Sequence, residues 1–379
     1  FIKVMATGSC MALYPALFAG CSATASEKHQ KAIDPDANSD RLRLISLAML
    51  APNSHNIQPW LIKLRGLDAF DLYVDRDRLL PKTDPPARQI HISQGTFLEY
   101  LKIAASGEGY RVDIDYFPEG AYGNTVIEDK PVARVQLIRD QSVKADPLFP
   151  WLRTRQSNKR VYRDRMIPES ELDRLRQQTA GNGFETVYSA SPELLNKLGP
   201  MLGKAMKIET DDPERNKETV DIFRFSEEEA KRKRDGFTLA NNGVTGLTRF
   251  FAETFFLGTR EEAYATDSAF AREGVKMTYK QAESATAYGW IVSSSNTRLD
   301  QVKAGELYSR VNLLTAQMGL AQHPLSQILE EYDDMQALQQ ECLQLLDIPQ
   351  GHTVQMLYRL GYAEPVPQTL RRYVTDAIA

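Results

Sequence analysis

The segment Ala51-Pro-Asn-Ser-His-Asn-Ile-Gln-Pro-Trp60 is the part of this chain around which the rest is arranged. Pro52 ends an apolar helical run that precedes it, and Pro59 begins an extended run that follows it. Five of the six residues between the two prolines are polar, so hydroxyl, amide and backbone N–H groups project from a stiff frame. Such a loop suits a planar ligand that forms hydrogen bonds. An ordinary helix-to-strand turn rich in Asn and Ser is the alternative.

Regular elements are predicted on both sides of this loop. Upstream, the apolar positions between Leu42 and Met49 fall largely on one helical face, and Ser39 is a candidate N-cap. Downstream, alternating apolar residues on either side of residues 65–68 predict a β-hairpin, and residues 86–109 return to helical spacing. Further strands are predicted at residues 112–116, 133–137, 288–292 and 352–361.

Two distant segments repeat the same pattern. Residues 95–109 read GTFLEYLKIAASGEG, and residues 305–319 read GELYSRVNLLTAQMG. The terminal glycines are fourteen residues apart in both segments, and apolar residues fall at matching offsets. We therefore predict two copies of a central helix, 210 residues apart. The alternative is a chance agreement between two amphipathic helices.

Four segments together resemble the nitroreductase superfamily. The Ala51 loop resembles the loop that contacts the flavin, and Arg155-Gln-Ser-Asn-Lys159 matches the Arg-x-Ser-x-Lys element that holds the flavin phosphate and ribityl chain. Residues 319–327 resemble the segment that lays backbone amides against the flavin ring, and Arg372, or else Arg371, matches the late basic residue that closes on the phosphate. The resemblance implies a flavin mononucleotide (FMN) site formed by Pro52, Asn53, Ser54, Asn56, Arg155, Ser157, Lys159, Pro324, Ser326, Gln327, Arg371 and Arg372.

Some observations qualify this set of residues. Residues 153–160, with four cations in eight residues, could instead be a solvated turn, and Ser326 and Gln327 stand where family members often carry an acidic residue and Gly. His55 lies inside the loop and either faces the flavin or caps the preceding helix. The five histidines and three cysteines show no metal-ligand spacing, so we expect no metal site.

The resemblance also implies the architecture. Nitroreductases are obligate dimers that pack through long helices, so the repeat indicates an α+β fold in which two nitroreductase-like halves are fused as an intramolecular pseudo-dimer, as in the Acg-type branch. We expect residues 39–145 to form the first half and residues 146–379 the second, with a lid-like helical insertion at about residues 191–285. The first half alone has the Ala51 loop and the second alone has the Arg155 element. One composite FMN site per chain follows, and no partner subunit is needed.

The implied activity is that of an FMN-dependent oxidoreductase. Hydride would pass from NAD(P)H to flavin N5 and then to a nitroaromatic, a quinone or a similar small-molecule acceptor. The flavin does the redox chemistry, so no residue is assigned a catalytic role. The alternatives are a non-catalytic protein of the envelope that binds or sequesters FMN, and a protein that kept the fold and lost the flavin.

The N-terminal residues indicate export. Residues 4–20 are uncharged and mostly small or apolar, and they end before Cys21 in a segment that resembles a secretory signal with a lipobox. We expect residues 1–21 to be a leader, residues 22–38 to be a tether, and the protein to be periplasmic or a lipoprotein anchored only through Cys21. A buried N-terminal helix is the alternative. The net charge of −4 provides no basic footprint for a nucleic acid.

Overall fold

Two antiparallel four-stranded sheets make up the β-structure of the computed structural model, which describes residues 39–246, 249 and 257–379. The predicted leader and tether, residues 1–38, lie outside the described residues. Residues 247–248 and 250–256 of the predicted insertion also lie outside them. Among the residues that are described, no helix is both long and apolar enough to cross a membrane.

The first sheet lies in the N-terminal part of the chain and has the strand order β1-β2-β4-β3. Its elements are α1 (Asp40–Ala48), β1 (Trp60–Arg65), β2 (Ala69–Val74), α2 (Arg88–Gly107), β3 (Tyr110–Tyr116) and β4 (Ala133–Arg139). The side chain of Ser39 accepts a hydrogen bond from the backbone N–H of Leu42, which confirms the predicted N-cap. The predicted hairpin is also confirmed, because β1 pairs antiparallel with β2 from Trp60 to Arg65.

The second sheet repeats this order as β5-β6-β8-β7. The elements of this part are α3 (Glu169–Thr179), β5 (Glu185–Ser189), α4 (Pro192–Asp211), α5 (Pro213–Ile222), α6 (Glu227–Lys233), α7 (Arg260–Ala263), α8 (Ala269–Glu283), β6 (Ala287–Ser293), α9 (Arg298–Gln317), β7 (Ala321–Pro324), α10 (Gln336–Leu345) and β8 (Thr353–Gly361). Since β5 and β6 are direct neighbours, the helices from α4 to α8 are inserted between two adjacent strands.

The two central helices, α2 and α9, pack against each other at reciprocal glycines. A Cβ atom added to Gly95 would lie 1.8 Å from the backbone oxygen of Val302, and one added to Gly305 would lie 2.0 Å from that of Ile92. The partner residues are again 210 positions apart. The predicted repeat is therefore confirmed, and with it the α+β fold of two halves packed through long central helices.

A buried arginine begins each central helix and reaches into the other half. Arg88 donates hydrogen bonds to the backbone oxygens of Leu329 and Gln355 at 3.0 and 2.9 Å. Arg298, the residue 210 positions later, donates to the backbone oxygen of Val126 at 3.0 Å. These exchanged contacts join the halves. The exact boundary between residues 145 and 146 stays a prediction.

The C-terminal segment leaves the second sheet and returns to the first. Ile378 forms a parallel bridge with Ile62 of β1, and the backbone N–H of Ala379 donates to the oxygen of Ile62 at 3.0 Å. The segment between β8 and this bridge therefore passes beside the Ala51 loop. This path brings residues from the end of the chain to the site.

Candidate functional site

A cavity of about 210 Å³ lies where the Ala51 loop, the Arg155 element and the C-terminal segment meet. Residues of both halves line it, together with residues of the inserted helical region. The predicted site residues that line this cavity are Pro52, Asn53, Ser54, Asn56, Arg155, Ser157, Lys159, Pro324, Ser326, Gln327 and Arg371. Arg372 is the predicted residue that the structure does not bring there.

The Ala51 loop has an unusual backbone. His55, Asn56 and Gln58 have φ values of 47°, 58° and 55°, in the left-handed region that residues with a Cβ atom rarely adopt. Tertiary hydrogen bonds hold this conformation: for example, the Thr96 hydroxyl on α2 donates to the backbone oxygen of Pro52 at 2.6 Å. Strain of this kind persists where the surrounding structure fixes it, and it is concentrated at functional sites.

Asn56 connects the loop to two distant segments. Its side-chain amide donates to the backbone oxygen of Gly236 at 2.9 Å and to that of Leu370 at 3.1 Å. Its side-chain oxygen accepts a hydrogen bond from Arg371. The loop, the inserted region and the C-terminal segment are thereby fixed at one corner of the cavity.

Three cations, Arg155, Lys159 and Arg371, line the cavity and form what we call the cationic group. Arg155 is only 3% exposed, donates to the side-chain oxygen of Asn312 at 2.6 Å, and has a buried Nε with no hydrogen-bond partner. Arg371 donates to the backbone oxygens of Met49 and Ala51 at 2.9 and 3.2 Å. Within the described part of the chain, none of the three cations forms an ion pair with a carboxylate.

The cationic group carries charges that no carboxylate among the described residues neutralises. Burial, with a smaller effect of the nearby Arg359, lowers the pKa of Lys159 to about 8. Burial and repulsion from Arg155 lower the pKa of Arg371 to about 9. Burial, with a smaller effect of Lys159, lowers the pKa of His55 to about 4, so this ring is neutral at pH 7. An anion in the cavity would relieve the repulsion between these cations.

Arg372 has a different environment from Arg371. Its guanidinium donates to the backbone oxygen of Gln58 at 3.1 Å and to the carboxylate of Asp75 at 3.2 Å, and it also bonds the backbone oxygen of Asp376. Its donors are directed into the protein beneath the loop. Of the two consecutive arginines, Arg371 is the one that lines the cavity.

The third predicted segment lies at the end of β7. Pro324 is the last residue of that strand, and Gln327 begins a short 3-10 turn, Gln327–Leu329. The Ser326 hydroxyl donates to the backbone oxygen of Leu357 on β8 at 3.4 Å. This contact anchors the turn to the second sheet, next to the cavity.

Several lining residues were not found from the sequence. Phe237 and Asn241 come from the inserted region, and the Lys159 ammonium lies 4.5 Å from the centre of the Phe237 ring. Other unpredicted lining residues are Glu209, Tyr308, His323, Glu330 and Met356. His55 lines the cavity, which favours the first of its two predicted roles. Apart from His55 in the Ala51 loop and His323 in the segment 319–327, these residues lie outside the four segments that carry the resemblance, and long-range packing brings them to the cavity.

Comparison with known proteins was made by sequence and by fold. No protein-family model matches the chain. A Mycobacterium tuberculosis protein named "Putative NAD(P)H nitroreductase" is 24% identical over 360 residues, which cover 91% of this chain and 92% of that protein. Another from the same species, named "Putative NAD(P)H nitroreductase acg", is 31% identical over 74 residues, 20% of this chain and 22% of that protein. The predicted resemblance to the nitroreductase superfamily is confirmed.

Solved structures of nitroreductases are also similar to this chain. One is a Bacteroides fragilis nitroreductase with bound FMN, 12% identical, which covers 60% of this chain and 96% of its own with a TM-score of 0.35. In the described residues of this nitroreductase-like chain, no group of three or more His, Cys, Asp or Glu side chains is placed to hold a metal ion.

Proposed function

We propose that this protein is an FMN-dependent oxidoreductase of nitroreductase type and that the cavity between its halves is the FMN site. The observation that carries this proposal is the cationic group, whose three charges lack carboxylate partners within the described residues. A phosphate monoester supplies the missing negative charge and the acceptor oxygens that guanidinium groups prefer. The full-length similarity to a protein named as an NAD(P)H nitroreductase supports the same reading.

The chemistry of the lining residues fits FMN. Arg155 and Arg371, which both line the cavity, would bind the phosphate through their guanidinium groups. Ser157 would bind the phosphate or the ribityl chain, and Lys159 the ribityl chain or the pyrimidine ring. The loop residues from Pro52 to Asn56 would position the ring. Bound FMN would supply the capacity to take a hydride from NAD(P)H and to pass it to a nitroaromatic, a quinone or a similar acceptor.

A second candidate function is the sequestration of FMN without turnover. It is favoured by hydrogen bonds that hold part of the inserted region at the cavity, where that region would cover the flavin. The backbone N–H of Gly236 donates to the oxygen of Asn56 at 3.1 Å, while the Asn56 side chain donates back to the oxygen of Gly236. These bonds hold the following residues, Phe237 and Asn241 among them, at the cavity. A yellow protein whose flavin NAD(P)H cannot reduce would identify this function.

The primary test is the absorbance of the purified protein between about 350 and 500 nm, followed by titration of the cofactor-free protein with FMN. We expect Arg155→Ala to weaken FMN binding by about 1.5–3 kcal/mol, the usual contribution of a hydrogen bond to a charged group. Arg163→Ala is the matched control, because that exposed arginine pairs with Glu364 and does not line the cavity. Unchanged affinity in Arg155→Ala would remove this residue from the site.

Export and lipid anchoring are a separate proposal, because residues 1–38 lie outside the described residues. We propose that Cys21 is acylated and that the protein faces the periplasm. Incorporation of labelled palmitate into the full chain, and its loss in Cys21→Ser, would support the anchor. Equal labelling of both proteins would exclude acylation at Cys21.

A further inference from the structure

The same cavity contains a second set of charged residues that the proposed cofactor does not use. Glu209 on α4 and Glu330, directly after the Gln327–Leu329 turn, both line the cavity, and Asp84 lies behind them. We call these three residues the acidic group. Glu209 and Glu330 are only 4% and 5% exposed. Carboxyl groups buried this deeply normally have a hydrogen-bonding or ionic partner.

Glu330 has no such partner for its Oε2 atom among the described residues, and the same holds for Oδ1 of Asp84. The other Asp84 oxygen accepts a hydrogen bond from the backbone N–H of Ile90 at 2.9 Å. Glu209 accepts a long hydrogen bond of 3.4 Å from the Tyr332 hydroxyl. Glu330 therefore lines the cavity with a carboxyl group whose buried Oε2 has no hydrogen-bond partner among the described residues.

The nearby cations are already engaged elsewhere. The Nε of Arg88 donates to Glu331 at 3.0 Å, and its two terminal nitrogens donate to the backbone oxygens of Leu329 and Gln355. Arg215, whose charge acts to lower the pKa of Glu209, pairs with the exposed Asp334 at 2.9 Å. Neither cation forms an ion pair with Glu209 or Glu330 in the described structure.

The acidic group is electrically separate from the cationic group. Burial raises the pKa of Glu209 to about 7 and raises that of Glu330 well above its usual range. The charged neighbours with the largest effect on the pKa of Glu330 are Asp84, Arg88, Glu331 and Glu209, and none of them belongs to the cationic group. One region of the cavity is therefore suited to an anion. The other region contains the acidic group, whose lining carboxyl groups form no ion pair among the described residues.

We propose that the electron acceptor of this protein carries a protonated amine, and that the Glu330 carboxylate, with Glu209 beside it, binds this nitrogen. The proposal rests on the proposed function and names the substrate class for the same cavity. An ammonium group supplies both the positive charge and the N–H donors that Glu330 lacks. The described residues place no three metal-ligating side chains together here, so an organic cation fits this region better than a metal ion.

The test compares three nitroaromatic acceptors of similar size with the FMN-loaded protein. These are 4-nitrobenzylamine, 4-nitrotoluene and 4-nitrobenzoate, which differ in the charge of one substituent. We expect the KM for 4-nitrobenzylamine to be at least tenfold below that for 4-nitrotoluene, and 4-nitrobenzoate to be the poorest of the three. In Glu330→Gln the preference for the amine should disappear, so that the KM values for 4-nitrobenzylamine and 4-nitrotoluene should differ by less than about twofold.

A binding measurement makes the test independent of turnover. Calorimetric titration with benzylamine should give a Kd at least tenfold weaker in Glu330→Gln than in the unaltered protein. The exposed Glu185→Gln on β5 is the matched control and should bind benzylamine like the unaltered protein.

Each outcome separates this inference from the proposed function. If FMN binds and is reduced but the amine has no advantage, or if Glu330→Gln keeps the advantage, the inference is wrong and the proposed function stands. If no FMN binds, the proposed function fails, and the benzylamine titration alone then supports or excludes the amine site. A preference for 4-nitrotoluene would indicate a neutral Glu330 and would also overturn the inference.

Discussion

Lys159 gives the cavity a charge that should change within an accessible pH range. Since burial lowers its pKa to about 8, the side chain is mostly charged at pH 7 and mostly neutral at pH 9 in the cofactor-free protein. Its charged hydrogen bond to the ligand is lost over this range. We therefore expect FMN affinity to fall as the pH rises from 7 to 9, by at most about tenfold per pH unit. Quenching of FMN fluorescence would measure this.

The control for this prediction is Lys159→Gln, which has no charge to lose. His55 is neutral throughout the range because its pKa is about 4. Arg371, with a pKa of about 9, is present in both proteins, so the difference between their pH profiles isolates Lys159. An equal decline of affinity with pH in both proteins would contradict the prediction.

The two consecutive arginines near the C-terminus should have different roles. Arg371→Ala removes a cation from the cavity and should weaken FMN binding by about 1.5–3 kcal/mol. Arg372→Ala leaves the longer contact to Arg78, at 3.5 Å, as the ion pair of the buried Asp75 among the described residues, and should lower the free energy of unfolding by about 3 kcal/mol. FMN titration and urea denaturation would separate the effects. Weaker binding in Arg372→Ala, without a loss of stability, would reverse this assignment.

At the level of secondary-structure elements, the contact between α2 and α9 depends on the absence of a side chain at Gly95. An added methyl group would meet the backbone oxygen of Val302, which cannot rotate away, so the helices must separate. Overpacking a core typically lowers the free energy of unfolding by about 1–3 kcal/mol. We expect the loss in Gly95→Ala to lie at or above the upper end of this range. Urea denaturation of the cofactor-free protein would measure the loss.

A glycine elsewhere provides the matched control for this substitution. Gly274 lies within α8, and an added Cβ there would have no heavy atom within 4 Å. Gly274→Ala should therefore stabilise the protein by about 0.5–1 kcal/mol, because alanine restricts the unfolded chain. If Gly95→Ala were as stable as Gly274→Ala, the close packing of the central helices would be wrong.

The elements show which features could be predicted from the sequence. Ser39 signals a helix start by its own chemistry, and the glycine repeat identifies α2 and α9 because both helices obey the same packing constraint. Local patterns of this kind are sufficient to predict these elements of the fold. The environment of Arg372 and the presence of Glu330 in the cavity depend on contacts between residues hundreds of positions apart. No local pattern encodes such contacts, so only the structure reveals them.

At the scale of the whole molecule, the two halves share a strand order but differ in the connection that leads to their first strand. Residues 49–59 connect α1 to β1 in the first half, whereas only residues 180–184 connect α3 to β5 in the second. The second half therefore has no counterpart of the Ala51 loop. We expect one FMN per chain, measured as the flavin released by heat relative to protein concentration. A ratio near two would contradict a single composite site.

The two copies of the fold, which pack against each other at the reciprocal glycines of the central helices, belong to one chain. This arrangement has an evolutionary consequence. In a dimer of identical subunits, every substitution appears twice and alters both sites at once. Here the two copies of the fold lie in one polypeptide, so a mutation changes only one of them. The short connection at residues 180–184 is one such difference: one copy contains the Ala51 loop, and the other has only this short connection in its place.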